Sequence, residues 1–144
     1  MSLDGAYDPD NIFARIVRRE IPSAVIYEDD ETLAFMDAFP QSRGHCLVIS
    51  KTATARNLLD ADNETLNSMI ASVQKVARAV REALDPDGIV VTQFNGAPAG
   101  QTIFHLHFHI IPRWSDQPLG RHGEGAMADS SQLQDMARLI ASRM

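Results

Sequence analysis

Three of the chain's five histidines stand within five residues, as His105-Leu106-His107-Phe108-His109. Side chains of an extended strand alternate between its two faces. A strand from Thr102 to Ile111, ended by Pro112, would therefore put Thr102, Phe104, Leu106, Phe108 and Ile110 on one face as core surface. His105, His107 and His109 would project together from the other, with successive Cα atoms roughly 6.5–7 Å apart. Three aligned imidazoles are costly to bury unless each ring nitrogen finds a partner. The row therefore points to a site.

Two chemistries suit it. Histidines at i and i+2 of a strand can share a metal ion with a third ligand from elsewhere, for which His45, His122 and several carboxylates are candidates. Alternatively, one imidazole attacks phosphorus while a neighbouring histidine or a backbone carbonyl sets its tautomer. The run Asn95-Gly96-Ala97-Pro98-Ala99-Gly100-Gln101-Thr102 enters the histidines through a turn with two glycines, which permit close backbone approach. Gln101 and Thr102 add neutral donors there, a credible site for phosphate oxygens beside a nucleophile.

The rest of the chain reads as an α+β fold. Asn11 to Glu20 forms a short helix with Ile12, Phe13 and Ile16 on one face, stopped before Pro22. Ala24 to Tyr27, Thr32 to Met36 and His45 to Ser50 are short strands, and Ile89 to Phe94 is another. Between them, Asn63 to Leu84 carries Leu66, Met69, Ile70, Val73, Val76, Ala77, Val80 and Leu84 at three- and four-residue steps, the apolar stripe of a long helix. Asp62 is its N-cap and Asp85-Pro86-Asp87-Gly88 its stop. A final helix carries Leu133, Met136, Ala137 and Ile140. These elements predict an antiparallel sheet of about five strands with helices on one side.

A length of 144 residues suits one domain, with a core over about 12–113 and a tail over 114–144. Thirteen Lys and Arg against 19 Asp and Glu leave a net charge of -6, so a polymeric nucleic acid is not the expected partner. No stretch is long and apolar enough for a membrane span. The one cysteine, Cys46, excludes an internal disulfide and fits a cytoplasmic location.

His105-Leu106-His107-Phe108-His109-Ile110-Ile111 resembles the signature of the histidine triad (HIT) superfamily. Gly100-Gln101-Thr102 before it and Pro112-Arg113 after it share the likeness. So do Ile12-Phe13, Ile21-Pro22-Ser23, Tyr27-Glu28-Asp29-Asp30, Leu33-Ala34-Phe35-Met36-Asp37 and Gly44-His45-Cys46-Leu47-Val48-Ile49.

The resemblance implies a HIT-like homodimer, without a cofactor, that cleaves a nucleoside monophosphate from a substituent on its α-phosphate. His107 would be the nucleophile, forming a nucleotidyl-histidine, while His105 and His109 orient it and contact phosphate. Gln101, Thr102, Gly100 and Asn95 would serve the phosphate or ribose, and Asp37 the ribose hydroxyls. Ile12, Phe13, Ile16, Ile21 and Phe35 would wall a purine base. Hint-like members place Asn where Phe94 stands, so Asn95, Gln93 or neither of them makes that loop's contact with the ribose or phosphate. Some relatives hold zinc through cysteines near the N-terminus; Phe13-Ala14-Arg15 offers none, and no metal is expected. A non-catalytic nucleotide-binding module and a zinc hydrolase are the competing functions. The leaving group, phosphoramidate or dinucleoside polyphosphate, is open.

Overall fold

The computed structural model describes residues 3–119 and 127–144; Arg121 and His122 lie outside them. Eight elements follow in order: α1 (Ile12–Val17), β1 (Val25–Glu28), β2 (Thr32–Met36), β3 (Cys46–Ser50), α2 (Asn63–Leu84), β4 (Gly88–Thr92), β5 (His107–Arg113) and α3 (Ser130–Ala141). The strands form one antiparallel sheet in the order β1-β2-β3-β5-β4. This is the α+β architecture that the sequence predicts. β5 thus lies inside the sheet, next to the edge strand β4, paired with β3 through Ile49↔His107 and Leu47↔His109 and with β4 through Thr92↔His109.

α2 begins where the Asp62 side chain accepts the Thr65 backbone N–H, and it ends where Asp85 turns left-handed at φ 49°. Its buried stripe runs through Met69, Val73, Val76, Val80 and Leu84. Ile70 departs from the expected stripe and is 54% exposed, because it sits a hundred-degree step round the helix from Met69. With α3, this helix covers the face formed by Ala34, Met36, Cys46, Val48, Phe108 and Ile110.

The alternate residues Leu33, Phe35, Leu47 and Ile49 point the other way and pack with Phe13 and Ile16 of α1. Helices therefore lie on both faces, not on one. β2 and β3 are buried along their whole length, which is why they read as continuous apolar runs.

The histidine strand is shorter at its start than expected and longer at its end. Residues 101–106 do not join the sheet; Leu106 N–H instead donates to the Ala55 carbonyl at 3.0 Å. Pro112 does not end the strand, for it pairs with Ile89 of β4. Pairing with β3 has already stopped at Ile110, so the missing N–H breaks no ladder bond on that side. There the Pro112 carbonyl takes the Ser42 hydroxyl at 2.6 Å.

Candidate active site

β5 delivers His107 and His109 to the sheet face opposite α2, while Phe108 and Ile110 enter the core. Both histidines line a cavity of about 510 Å³. That size lies within the range of small-ligand sites. Its apolar wall comes from α1 and the chain after it, through Ile12, Phe13, Ile16 and Ile21, and from the sheet, through Phe35 of β2 and Leu47 of β3. Phe13 turns its ring edge-on to His107, with centroids 4.8 Å apart, and to Phe35 at 5.6 Å. Asp37 and Thr102 supply polar groups to the same cavity.

Hydrogen bonds set the tautomers. A backbone carbonyl only accepts, so His107 Nδ1, 2.6 Å from the His105 carbonyl, carries the proton. The neutral ring then bears its lone pair on Nε2. His105 Nε2 likewise donates to the Ser50 carbonyl at 2.7 Å, leaving Nδ1 to accept the Tyr7 hydroxyl at 2.9 Å. Burial lowers the pKa of His105, with the Ser50 carbonyl opposing in part.

On the far side, the Gln41 backbone N–H donates to His45 Nδ1 at 3.0 Å. His45 must therefore carry its proton on Nε2, which lies 3.0 Å from His109 Nδ1 and 3.4 Å from Asp37 Oδ2. Accepting at Nδ1, neutral His109 is protonated on Nε2. Asp37 is held by its other oxygen, which caps the Phe39 N–H at 2.8 Å.

Asp37, His45 and His109 are also the group, among the described residues, whose ligand-type atoms lie within 4.8 Å of one another. Their hydrogen bonds argue against a metal there. With Nδ1 of His45 accepting a backbone N–H, Nε2 needs its proton and cannot ligate without breaking that bond.

Several expected residues lie elsewhere. Gln101 is buried, and its amide is used up in holding the loop: Oε1 accepts Gly96 N–H, and Nε2 donates to the Arg56 and Ile103 carbonyls. Asn95 Oδ1 accepts the Leu58 N–H and the Gln93 amide, so both side chains of that pair brace the loop and neither lines the cavity. Gly100 caps the turn Ala97–Ala99 at φ 111°, beneath the Phe94 ring. Phe94 in turn stacks near His109, with centroids 5.4 Å apart. His105 sits behind His107, outside the cavity lining.

In sequence, His45 offers itself chemically only as a metal ligand, and Tyr7 carries no signal of a site role. His45 had one available signal, an ionisable residue opening an apolar strand. Tyr7 had none. The tail was missed as well: Met127, Ala128, Ser130, Leu133 and Gln134 close one side of the cavity, and Ala128 N–H donates to the Ala38 carbonyl at 2.9 Å. Trp114 packs against the α2-side core and away from this cavity.

The HIT domain family model matches residues 18–116. The chain belongs to the HIT family. Among its HIT relatives, protein hit of Bacillus subtilis is 43% identical over 103 residues, covering 72% of this chain and 70% of that protein. Adenylylsulfatase HINT3 of Arabidopsis thaliana is 36% identical over 135 residues, 90% of this chain and 68% of that one. A HIT-like protein from Bartonella henselae, solved with an unknown ligand, superposes with a TM-score of 0.91 at 49% identity, covering 97% of this chain and 100% of its own. HIT proteins include hydrolases and nucleotide-binding proteins.

Proposed function

We propose that this protein is a nucleotide hydrolase that releases a nucleoside monophosphate, AMP in the first instance, through a nucleotidyl-His107 intermediate. The observation that carries it is the 2.6 Å bond from His107 Nδ1 to the His105 carbonyl, which puts the lone pair on Nε2 of a histidine lining the cavity. Nε2 attacks the α-phosphorus, the P–N bond to His107 forms, and the bond to the leaving group breaks with its electron pair. His109, protonated on Nε2 and accepting from His45 at Nδ1, supplies its Nε2 proton to that group and regains one from the water of the next step. Water then adds at phosphorus, the P–N bond breaks, and the monophosphate leaves with His107 restored.

The apolar wall receives the flat base between α1 and Phe35, Asp37 accepts the ribose hydroxyls, and the Thr102 hydroxyl donates to a phosphate oxygen. Gln101, Gly100 and Asn95 act at one remove, by shaping the loop that presents Thr102. A phosphoramidate, a dinucleoside polyphosphate and an adenylyl sulfate all present the same α-phosphorus, and the plant relative is an adenylylsulfatase. No metal or cofactor takes part. The enzyme works as a homodimer in the cytoplasm, where the buried thiol of Cys46 stays reduced.

The test measures AMP release from these three substrate classes by wild type and His107→Ala, with and without chelator. Release that resists chelator and falls at least about a thousandfold in the variant is expected. Chelator-sensitive release would replace this mechanism with a metal-dependent one. AMP binding without turnover would leave a nucleotide-binding module.

A further inference from the structure

The histidine behind the nucleophile is held by a residue far outside the sheet. Tyr7 precedes α1, on a segment strapped across the loop after β3: Asn57 Nδ2 donates to the Leu3 carbonyl at 3.2 Å, and Arg56 Nη1 to the Ala6 carbonyl at 3.2 Å. The Arg56 guanidinium lies over the Phe104 ring, 4.6 Å from its centroid, directly before His105. From this strap the Tyr7 hydroxyl reaches His105 Nδ1 at 2.9 Å, across 98 residues of sequence, and its ring tilts against the imidazole at 5.7 Å.

Ser50 and Tyr7 therefore grip opposite nitrogens of one ring that is 2% exposed. Neither bond alone would fix the imidazole, since a ring held at one nitrogen can still pivot about that contact. The His105 carbonyl is the group that takes the His107 Nδ1–H. Whatever fixes His105 also fixes the direction in which the His107 ring presents Nε2.

We infer that Tyr7 is a positioning residue for the HIT triad: its hydroxyl locks the His105 ring, and through the His105 carbonyl it aims His107. The inference rests on His107 being the nucleophile. Tyr7 does not line the cavity, so its loss acts on the chemical step more than on nucleotide binding. A buried Nδ1 deprived of its donor leaves a ring held by the Ser50 carbonyl alone, which keeps the tautomer but lets the ring turn about that contact.

The test is Tyr7→Phe in the full chain, which keeps the ring and removes the hydroxyl. Imidazole 15N–1H spectra of the substrate-free protein read the tautomers of His105 and His107 directly, and AMP-release kinetics separate kcat from KM. Expected are a single Nε2–H tautomer for His105 in wild type, a shifted and broadened His105 Nδ1 signal in the variant together with a shifted His107 Nδ1–H signal, and a fall in kcat of about tenfold at unchanged KM. Unchanged His105 and His107 spectra would overturn the assignment, even if thermal stability fell. Perturbed spectra with kcat intact would overturn it equally. If wild type releases no AMP from any substrate, the hydrolase reading fails by itself. The His107 signal then still decides whether Tyr7 orients that ring.

Discussion

His45 Nε2 and His109 Nδ1 lie 3.0 Å apart, joining the entry to β3 with the middle of β5 across 64 residues of sequence. Because Gln41 donates its backbone N–H to the other nitrogen of His45, the bond has a direction, from His45 to His109. A main-chain amide thus sets the protonation of a ring that lines the cavity.

Replacing His45 by Gln should disturb that order without emptying the space. The expected loss in kcat is about ten- to a hundredfold, comparable to other supporting-shell substitutions, with AMP affinity changed far less. Steady-state kinetics beside an AMP titration would check it; equal losses in both would mean that the site has collapsed.

Gly44, just before His45, takes φ 89°, and a Cβ there would stand 2.3 Å from Leu84 Cδ1. Gly44→Ala combines a disfavoured backbone region with a clash against the end of α2. A destabilisation of about 3 kcal/mol is expected in chemical denaturation.

Ile12 lines the cavity while remaining 50% exposed, so its removal costs the fold little. Ile12→Ser should raise KM about fivefold, equivalent to roughly 1 kcal/mol of lost apolar contact, while kcat and Tm stay near wild type. An unchanged KM would move the base away from α1.

His105 sets a pH dependence of stability. Burial lowers its pKa from 6.5 in the folded chain, so the unfolded chain binds the proton more readily. Its contribution is therefore neutral above the ordinary histidine range and turns unfavourable as pH falls from there toward the lower folded value. Denaturation midpoints measured from pH 8 down to pH 5 should decline, and the decline should be shallower in His105→Gln.

Much of the fold was legible in local pattern. The bounds of α2, Asn63 and Leu84, follow from an Asp cap, a helical stripe and a breaker, all within reach of a few residues. The alternation of His107 and His109 against Phe108 and Ile110 likewise needs only an extended backbone. Position 105 escaped because leaving the sheet is decided by pairing. β3 offers partners only from Ile49↔His107 onward, and nothing near His105 in sequence announces that. Gln101 reads as a phosphate donor and Asn95 as a candidate ribose or phosphate contact since their amides suit those tasks, while in the fold each amide meets partners 2 to 45 residues away in the chain.

By itself, the sequence determined the family signature, the α+β order of elements and the two histidines that face the cavity. These rest on periodicity and motif spacing, which are properties of neighbouring residues. Only the tertiary structure decided which nitrogen of His105 and of His109 holds a proton. The deciding partners, Ser50 and Tyr7 for His105 and His45 for His109, become partners only when distant segments pack together. A hydrogen bond depends on ångström-scale distance and direction, which are defined only once the chain has folded.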